Sequence, residues 1–332
     1  MVRFQYKAYR RSFAGDFSNA RESFAKREGA IVRLEDKDGR VGFGEAAPIP
    51  SFGSESFASL IAAAVAIEER VDFESLLPRL KGYPCLSWAL GTAHAMIERE
   101  GTWPSFDKPR AICGLVSDIC DSEAISERVK LHYQCLKFKI GKLSMLEEQR
   151  ALDRVMDICE GKLKIRLDAN GSLDFRSAAG WLEHAAGLPV EFIEQPLPMG
   201  QEKEMMRLAA DFPAPIALDE SVCSVDDFKR CRDAQWPGIF VLKPSLSGAF
   251  RELRDELEGS GDEIVFSSAL ETKVGAANAI GLALSSSTSQ RALGFGVESL
   301  FADRNIGLEL GPFLQPGGLP NTEELEQLWN QI

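Results

Sequence analysis

Five short apolar runs in the middle of this chain each end on or carry a charged residue, and no other feature constrains the fold as much. The runs are Leu136-Lys137-Phe138-Lys139-Ile140, Ile165-Arg166-Leu167-Asp168, Phe192-Ile193-Glu194, Ile216-Ala217-Leu218-Asp219 and Phe240-Val241-Leu242-Lys243. They recur at about the spacing of one strand plus one helix, the rhythm of successive units in a parallel α/β fold. If that sheet closes into a barrel, the C-terminal strand ends converge on one mouth. Two lysines, three carboxylates and a third lysine then meet there.

The rhythm holds beyond these runs. Ala111 to Val116 reads as a first strand, Glu263 to Ser267 and Ala292 to Gly296 as the last two, giving eight strand candidates with about seven helices between them. The helix expected over 145–159 puts Ala151, Leu152, Val155, Met156 and Cys159 on one face, toward the barrel wall. The barrel is therefore assigned to 111–299. Residues 1–110 lack the rhythm. Ala30 to Leu34 and Val41 to Gly44 flank Asp36-Lys37-Asp38-Gly39, a hairpin signal, and apolar residues at helical spacing follow over 57–70 and 86–98. This predicts an α+β domain of three strands and several helices. The segment 300–332, with Pro312, Pro316, Gly317, Gly318 and Pro320, reads as loop folding back onto that domain.

Each polar strand end admits a bland explanation that has to be weighed. Lys137 and Lys139 are two apart on one strand and point to the same side. A solvated edge strand would tolerate them, but the acids that follow favour a shared polar site. Lysines close to other cations give up a proton more readily, which suits a base. Asp168, Glu194 and Asp219 each precede a helix and could cap it. Three on successive strands favour a hard cation instead, Mg²⁺ or alternatively Mn²⁺, held by oxygen. Asn170 either shares their face or simply turns the chain before Gly171. Lys243 is either a second acid–base group or a cation facing developing negative charge. Ser267 and Ser268 could hold a substrate carboxylate or cap the next helix, and Glu271 could serve either purpose.

Composition excludes several functions. A net charge of -12 argues against a nucleic-acid partner, which needs a basic face. The first residues, Met1 to Lys7, lack the apolar core of a signal peptide, and the longest apolar stretch, Leu60 to Ile67, is too short for a membrane span. The seven cysteines show no CxxC pairing, so they are expected as reduced core thiols of a cytoplasmic protein, and the three histidines form no zinc-spaced cluster. Oligomeric state leaves no trace in the sequence.

The strand-end motifs as an ordered set carry a family likeness. Lys137-Phe138-Lys139, Arg166-Leu167-Asp168-Ala169-Asn170, Ile193-Glu194-Gln195-Pro196-Leu197, Leu218-Asp219-Glu220-Ser221 and Leu242-Lys243-Pro244, with Gly42-Phe43-Gly44-Glu45-Ala46-Ala47-Pro48-Ile49-Pro50 in the first domain, resemble the enolase superfamily in its muconate-lactonizing subgroup. The resemblance implies a (β/α)7β modified TIM barrel closed by an N-terminal α+β capping domain. It also implies Mg²⁺ on Asp168, Glu194 and Asp219, catalytic Lys139 and Lys243, and a small-molecule carboxylate substrate contacted by Lys137, Asn170, Ser267 and Ser268.

Within the subgroup, Arg27-Glu28-Gly29, Pro50-Ser51-Phe52-Gly53-Ser54-Glu55-Ser56, Lys243-Pro244-Ser245-Leu246 and Ser267-Ser268-Ala269-Leu270-Glu271-Thr272 are most similar to the o-succinylbenzoate synthase family. That likeness implies Mg²⁺-dependent dehydration of 2-succinyl-6-hydroxy-2,4-cyclohexadiene-1-carboxylate in menaquinone biosynthesis. Lys139 would move both protons, and Lys243 would supply positive charge to the ring. Thr272 stands where that family usually has serine, and Gly294-Phe295-Gly296-Val297 departs from its last-strand pattern. The Asp-x-Asp of dipeptide epimerases is absent there. The alternatives are N-succinylamino acid racemisation or dipeptide epimerisation with the same two lysines, muconate cycloisomerisation, and a catalytically silent metal-binding barrel. The turn-rich segments 10–26 and 49–56, tipped by Phe13, Phe17 and Phe52, are expected to cover the mouth.

Overall fold

The protein, seen here as a computed structural model, is described at every residue except 19–22 and 287–290. The chain opens with two long strands, β1 (Val2–Ser18) and β2 (Ser23–Glu35), followed by β3 (Val41–Ala46). β2 pairs antiparallel with both β1 and β3. The hairpin expected around Asp36 to Gly39 is the β2–β3 turn. β1 escaped the sequence reading for a physical reason. Its buried positions are Val2 and Phe4, then Tyr9, Arg11 and Phe13, so the alternation changes phase and includes a buried arginine. Helix α1 (Phe57–Val65) stops short of the predicted Arg70, and β4 (Arg70–Val71) instead adds a fourth strand beside β1. Two more helices follow, α2 (Phe73–Leu76) and α3 (Pro84–Glu98). α3 lies against β3 so closely that a Cβ at Gly42 or Gly44 would fall 1.9 or 1.8 Å from the carbonyl oxygens of Ala93 or Ala89. Only glycine permits that approach.

The barrel follows as β5 (Arg110–Val116), α4 (Ser122–Lys130), β6 (Cys135–Lys139), α5 (Met145–Cys159), β7 (Lys164–Asp168), α6 (Phe175–Ala185), β8 (Val190–Glu194) and α7 (Glu202–Asp211). It continues with β9 (Ile216–Leu218), α8 (Val225–Asp233), β10 (Ile239–Leu242), α9 (Phe250–Leu257), β11 (Ile264–Phe266), α10 (Lys273–Ser285) and β12 (Leu293–Gly296). These strands run parallel in the order β11-β10-β9-β8-β7-β6-β5-β12, and a parallel bridge between Ser267 and Gly294 joins the two ends. This is the expected (β/α)7β barrel beside an antiparallel capping sheet.

Strand phase explains why charge points inward. Leu136, Phe138, Ile165, Leu167, Ile193, Ile216, Leu218, Phe240 and Leu242 pack with the helices in one core, where α5 contributes Ala151, Leu152, Val155 and Cys159. Met156, expected on the same face, is half-buried. Each large apolar side chain so buried stabilises by about 1.5–3 kcal/mol. A one-residue slip would expose the whole set. The alternate positions must then face the barrel axis. Deeper in, these are Phe192, Ala217, Val241 and Val265, which with Ile239 form an apolar floor. At the mouth they are the charged residues.

The tail is not all loop. β13 (Phe313–Leu314) pairs antiparallel with β5, and α11 (Thr322–Gln331) starts from an Asn321–Glu324 capping box. Leu325, Leu328 and Trp329 of α11 pack with Tyr9, Ile31 and Phe43 of the capping sheet. The segment 10–26 is also not a loop, since 10–18 and 23–26 are the far arms of the β1–β2 hairpin. Its residues 19–22 and the Phe17 side chain lie outside the described residues. All seven cysteines are free thiols, but Cys120 is exposed, against the expectation of core positions throughout. No helix among the described residues is long and apolar enough to cross a membrane.

Candidate active site at the barrel mouth

One pocket gathers Lys137, Lys139, Asp168, Asn170, Asp219, Lys243, Ser267 and Ser268 from β6 to the end of β11. Glu194 joins from the last position of β8. Asp168, Glu194 and Asp219 are all buried, and each offers an oxygen within 4.8 Å of the others. None of the three caps an α-helix. The caps of α6, α7 and α8 are Asp174, Gln201 and Ser224, so that explanation of the acids fails.

The lysines answer the acids in sequence around the barrel. Lys137 Nζ lies 2.6 Å from Glu194 Oε1 and 2.8 Å from Asp168 Oδ2. Lys139 Nζ lies 2.7 Å from the same Asp168 oxygen and donates to Asn170 Oδ1 at 2.9 Å. Lys243 Nζ pairs with Asp219 Oδ1 and sits 4.5 Å from the Phe52 ring centroid, a cation–π contact with the capping domain. β6 and β10 are separated by β7, β8 and β9, so Lys139 and Lys243 face each other across the acids.

Burial works against every one of these charges, and the outcome depends on partners. Burial and the negative charge of Asp168 push the Glu194 carboxyl up to about 8, against the pull of Lys137. Asp219 is also raised, chiefly by burial despite Lys243. At Asp168 burial is overcome by Lys137 and Lys139, which hold its carboxyl below the usual range. For Lys137 the opposing burial is outweighed by Asp168 and Glu194, and for Lys243 by Asp219 and Glu194, so both amines hold their protons more tightly than usual. Lys137 is thus an ammonium clamped between acids, not a cation free to lose its proton.

Two observations fit these residues to a divalent cation. Asp219 Oδ2 is buried with no hydrogen-bond partner among the described residues, an orphan that a native site rarely tolerates without an ion. The donor set is all oxygen, which suits Mg²⁺ chemistry.

Several residues around the pocket were not read from the sequence. Cys113, Leu115, Leu270 and Val297 line it, beside Ile49 and Phe52 of the segment expected over the mouth. Cys113 and Leu115 were within reach, being alternate positions of a predicted strand. Gln195 ties Asp219 in place, its Oε1 accepting from the N–H groups of Asp219 and Ser221 at 3.0 and 3.1 Å. Neither serine caps α10, whose cap is Thr272. Ser268 Oγ donates to Glu271 Oε2 at 2.6 Å, as Ser245 Oγ does to Oε1, so Glu271, one residue before the Thr272 cap of α10, also ties a pocket serine in place. Asn170 combines both of its expected characters, lining the pocket while holding a left-handed φ of 47°. Thr272, the departure from serine, keeps a hydroxyl that bonds buried Glu45 of β3.

Residues 121–292 match the model of the enolase C-terminal domain-like family, and residues 8–98 that of the MenC N-terminal domain. The chain is 34% identical over 308 residues to an o-succinylbenzoate synthase of Thermosynechococcus vestitus, spanning 90% of this chain and 93% of that one. A hydrophobic dipeptide epimerase of a Flavobacteria bacterium is 31% identical, but over 56% of this chain. Among solved structures, o-succinylbenzoate synthase of Thermosynechococcus elongatus, complexed with Mg in its active site, superposes with a TM-score of 0.83 at 32% identity, covering 99% of this chain and 100% of that one. From its strand-end motifs, its barrel and these likenesses, the chain belongs to the enolase superfamily, in the muconate-lactonizing subgroup that includes the o-succinylbenzoate synthases.

Proposed function

We propose that the chain is an o-succinylbenzoate synthase, which removes water from 2-succinyl-6-hydroxy-2,4-cyclohexadiene-1-carboxylate. One observation carries the reading: Lys139 and Lys243 face each other across three buried carboxylates in one pocket, in a chain similar along 90% of its length to a protein of that name. Asp168, Glu194 and Asp219 would hold Mg²⁺, with Mn²⁺ as the alternative of the same ligand preference. When bound, such a cation supplies positive charge against the substrate carboxylate as negative charge develops on it.

The chain's own groups do the rest. Lys139 in its amine form takes the proton α to the carboxylate, the C–H electrons passing into the carboxylate. Those electrons then return toward the ring as the C–O bond breaks, and Lys139 gives the same proton to the departing hydroxyl, which leaves as water. One amine serves both transfers, so elimination proceeds on one face and the ring ends aromatic. Lys243, beside Asp219 and the Phe52 ring, supplies positive charge from the opposite side. Lys137 stays an ammonium that spaces the acids and faces the substrate carboxylate. Asn170, Ser267 and Ser268 are assigned to the wall that contacts substrate.

The test is direct. Purified protein with Mg²⁺ should convert the cyclohexadiene substrate, followed by the ultraviolet change on aromatisation. Efficient epimerisation of dipeptides or racemisation of N-succinylamino acids without dehydration contradicts the reading.

A further inference from the structure

Glu220 follows the third acid of the ladder directly, yet neither the metal site nor the proton transfers use it. It is buried, at 2% exposure, and one oxygen, Oε2, has no partner among the described residues. The other, Oε1, accepts from Asn170 Nδ2 at 3.0 Å. Asn170 Oδ1 in turn accepts from Lys139 Nζ at 2.9 Å. Asn170 is held for this task by its backbone. Its left-handed φ of 47° is a conformation asparagine tolerates better than most side chains, and its own N–H donates to Asp168 Oδ1 at 2.9 Å.

An asparagine amide has a donor end and an acceptor end on nearly the same outline, so only its partners decide which way it points. Reversed, Asn170 would turn an NH₂ toward the Lys139 nitrogen and an oxygen toward Glu220 Oε1, and both observed hydrogen bonds would be lost. Glu220 Oε1 takes the Asn170 NH₂, which leaves the amide oxygen for Lys139. We infer that Glu220 and Asn170 are a positioning pair for Lys139: Glu220 sets the sense of the Asn170 amide, and the amide oxygen so presented fixes where the lysine nitrogen stands in the pocket. This rests on the reading of Lys139 as the base. A misplacement of about 1 Å at a reacting group costs about a hundredfold in rate, so loss of the positioning shows in kcat, and at Glu220, which does not line the pocket, in kcat without KM.

An exchange of partners tests it. Asn170→Asp keeps an oxygen toward Lys139 but sets two carboxylates against each other. Glu220→Gln removes the fixed acceptor and frees the amide to turn. Each single variant should lower kcat by about tenfold to a hundredfold, with KM within about twofold for Glu220→Gln, whose side chain does not line the pocket, measured in dehydration of the cyclohexadiene substrate at saturating Mg²⁺. The double variant Asn170→Asp with Glu220→Gln restores a donor facing an acceptor, in reverse sense. It should recover kcat to within about threefold of wild type, which also shows that the fold survives both changes. A double variant no better than the worse single, or losses that appear in KM alone, overturns the pairing. Lys139→Ala run beside these separates the two claims. If it keeps turnover, the base assignment fails; if it is inactive and the double variant shows no recovery, only the positioning pair fails.

Discussion

The barrel and the capping sheet both bury charged side chains, but they leave them in different states. In the capping sheet, the buried charges of Arg11, Arg27 and Glu45 are met by fixed protein groups. Arg27 donates to the carbonyls of Ala47, Pro48 and Ala269, Arg11 pairs with Glu298 and Asp303, and Glu45 accepts from Tyr9, Thr272 and Gly275. At the barrel mouth, Asp219 Oδ2 and Glu220 Oε2 have no partner among the described residues, and the acids and amines converge on a space. A buried charge with all its bonds made stabilises one architecture, whereas one with bonds left over is available to a ligand. The difference separates groups with bonding capacity left over from those that hold the domains together.

The largest effect that sharpens the contrast belongs to the barrel. Lys139→Ala should lower turnover by at least about a thousandfold, the range expected for a positioned acid–base group, with unchanged circular dichroism. Next come Asp168→Asn and Glu194→Gln. Each should weaken Mg²⁺ binding, measured calorimetrically, by at least about a hundredfold, no less than loss of a supporting partner costs a metal site. A variant of either kind with wild-type Mg²⁺ affinity removes that residue from the ligand set. In the cap, Glu45→Ala strands the buried Thr272 and Gly275 N–H groups and should cost about 3 kcal/mol in urea unfolding. Mg²⁺ affinity should not change, and a parallel loss of it would erase the contrast. The smallest effect is at the boundary. Phe52→Ala removes the ring beside Lys243, worth about 1 kcal/mol, and should raise KM about fivefold while leaving Mg²⁺ affinity alone.

What the sequence disclosed follows the same division. The barrel was legible because β6 to β10 repeat one rule, apolar outward and polar toward the inward tip, so Lys139, Asp168, Glu194, Asp219 and Lys243 stood out singly and as a series. The cap was less so. β1 alternates out of phase around a buried Arg11, and β4 is a two-residue strand too short for any periodicity. α11 was hidden by the prolines and glycines just before it, although Asn321 and Glu324 spell its capping box. Within the site, contacts across the barrel carried no sequence signal. Nothing in the spacing of Asn170 and Glu220, or of Gln195 and Asp219, says that they touch, because that proximity comes only from barrel closure.

The central claim is that one amine, Lys139, handles the α-proton while Lys243 on the opposite side serves as a fixed cation. Incubating wild type, Lys139→Ala and Lys243→Ala with substrate, Mg²⁺ and D₂O, and reading deuterium at the α-carbon of recovered substrate by NMR, tests it most directly. Lys139→Ala should show no exchange and Lys243→Ala slow but measurable exchange, with dehydration impaired in both. Exchange that persists in Lys139→Ala and disappears in Lys243→Ala, or that each variant retains with only one stereoisomer of an N-succinylamino acid, would contradict it.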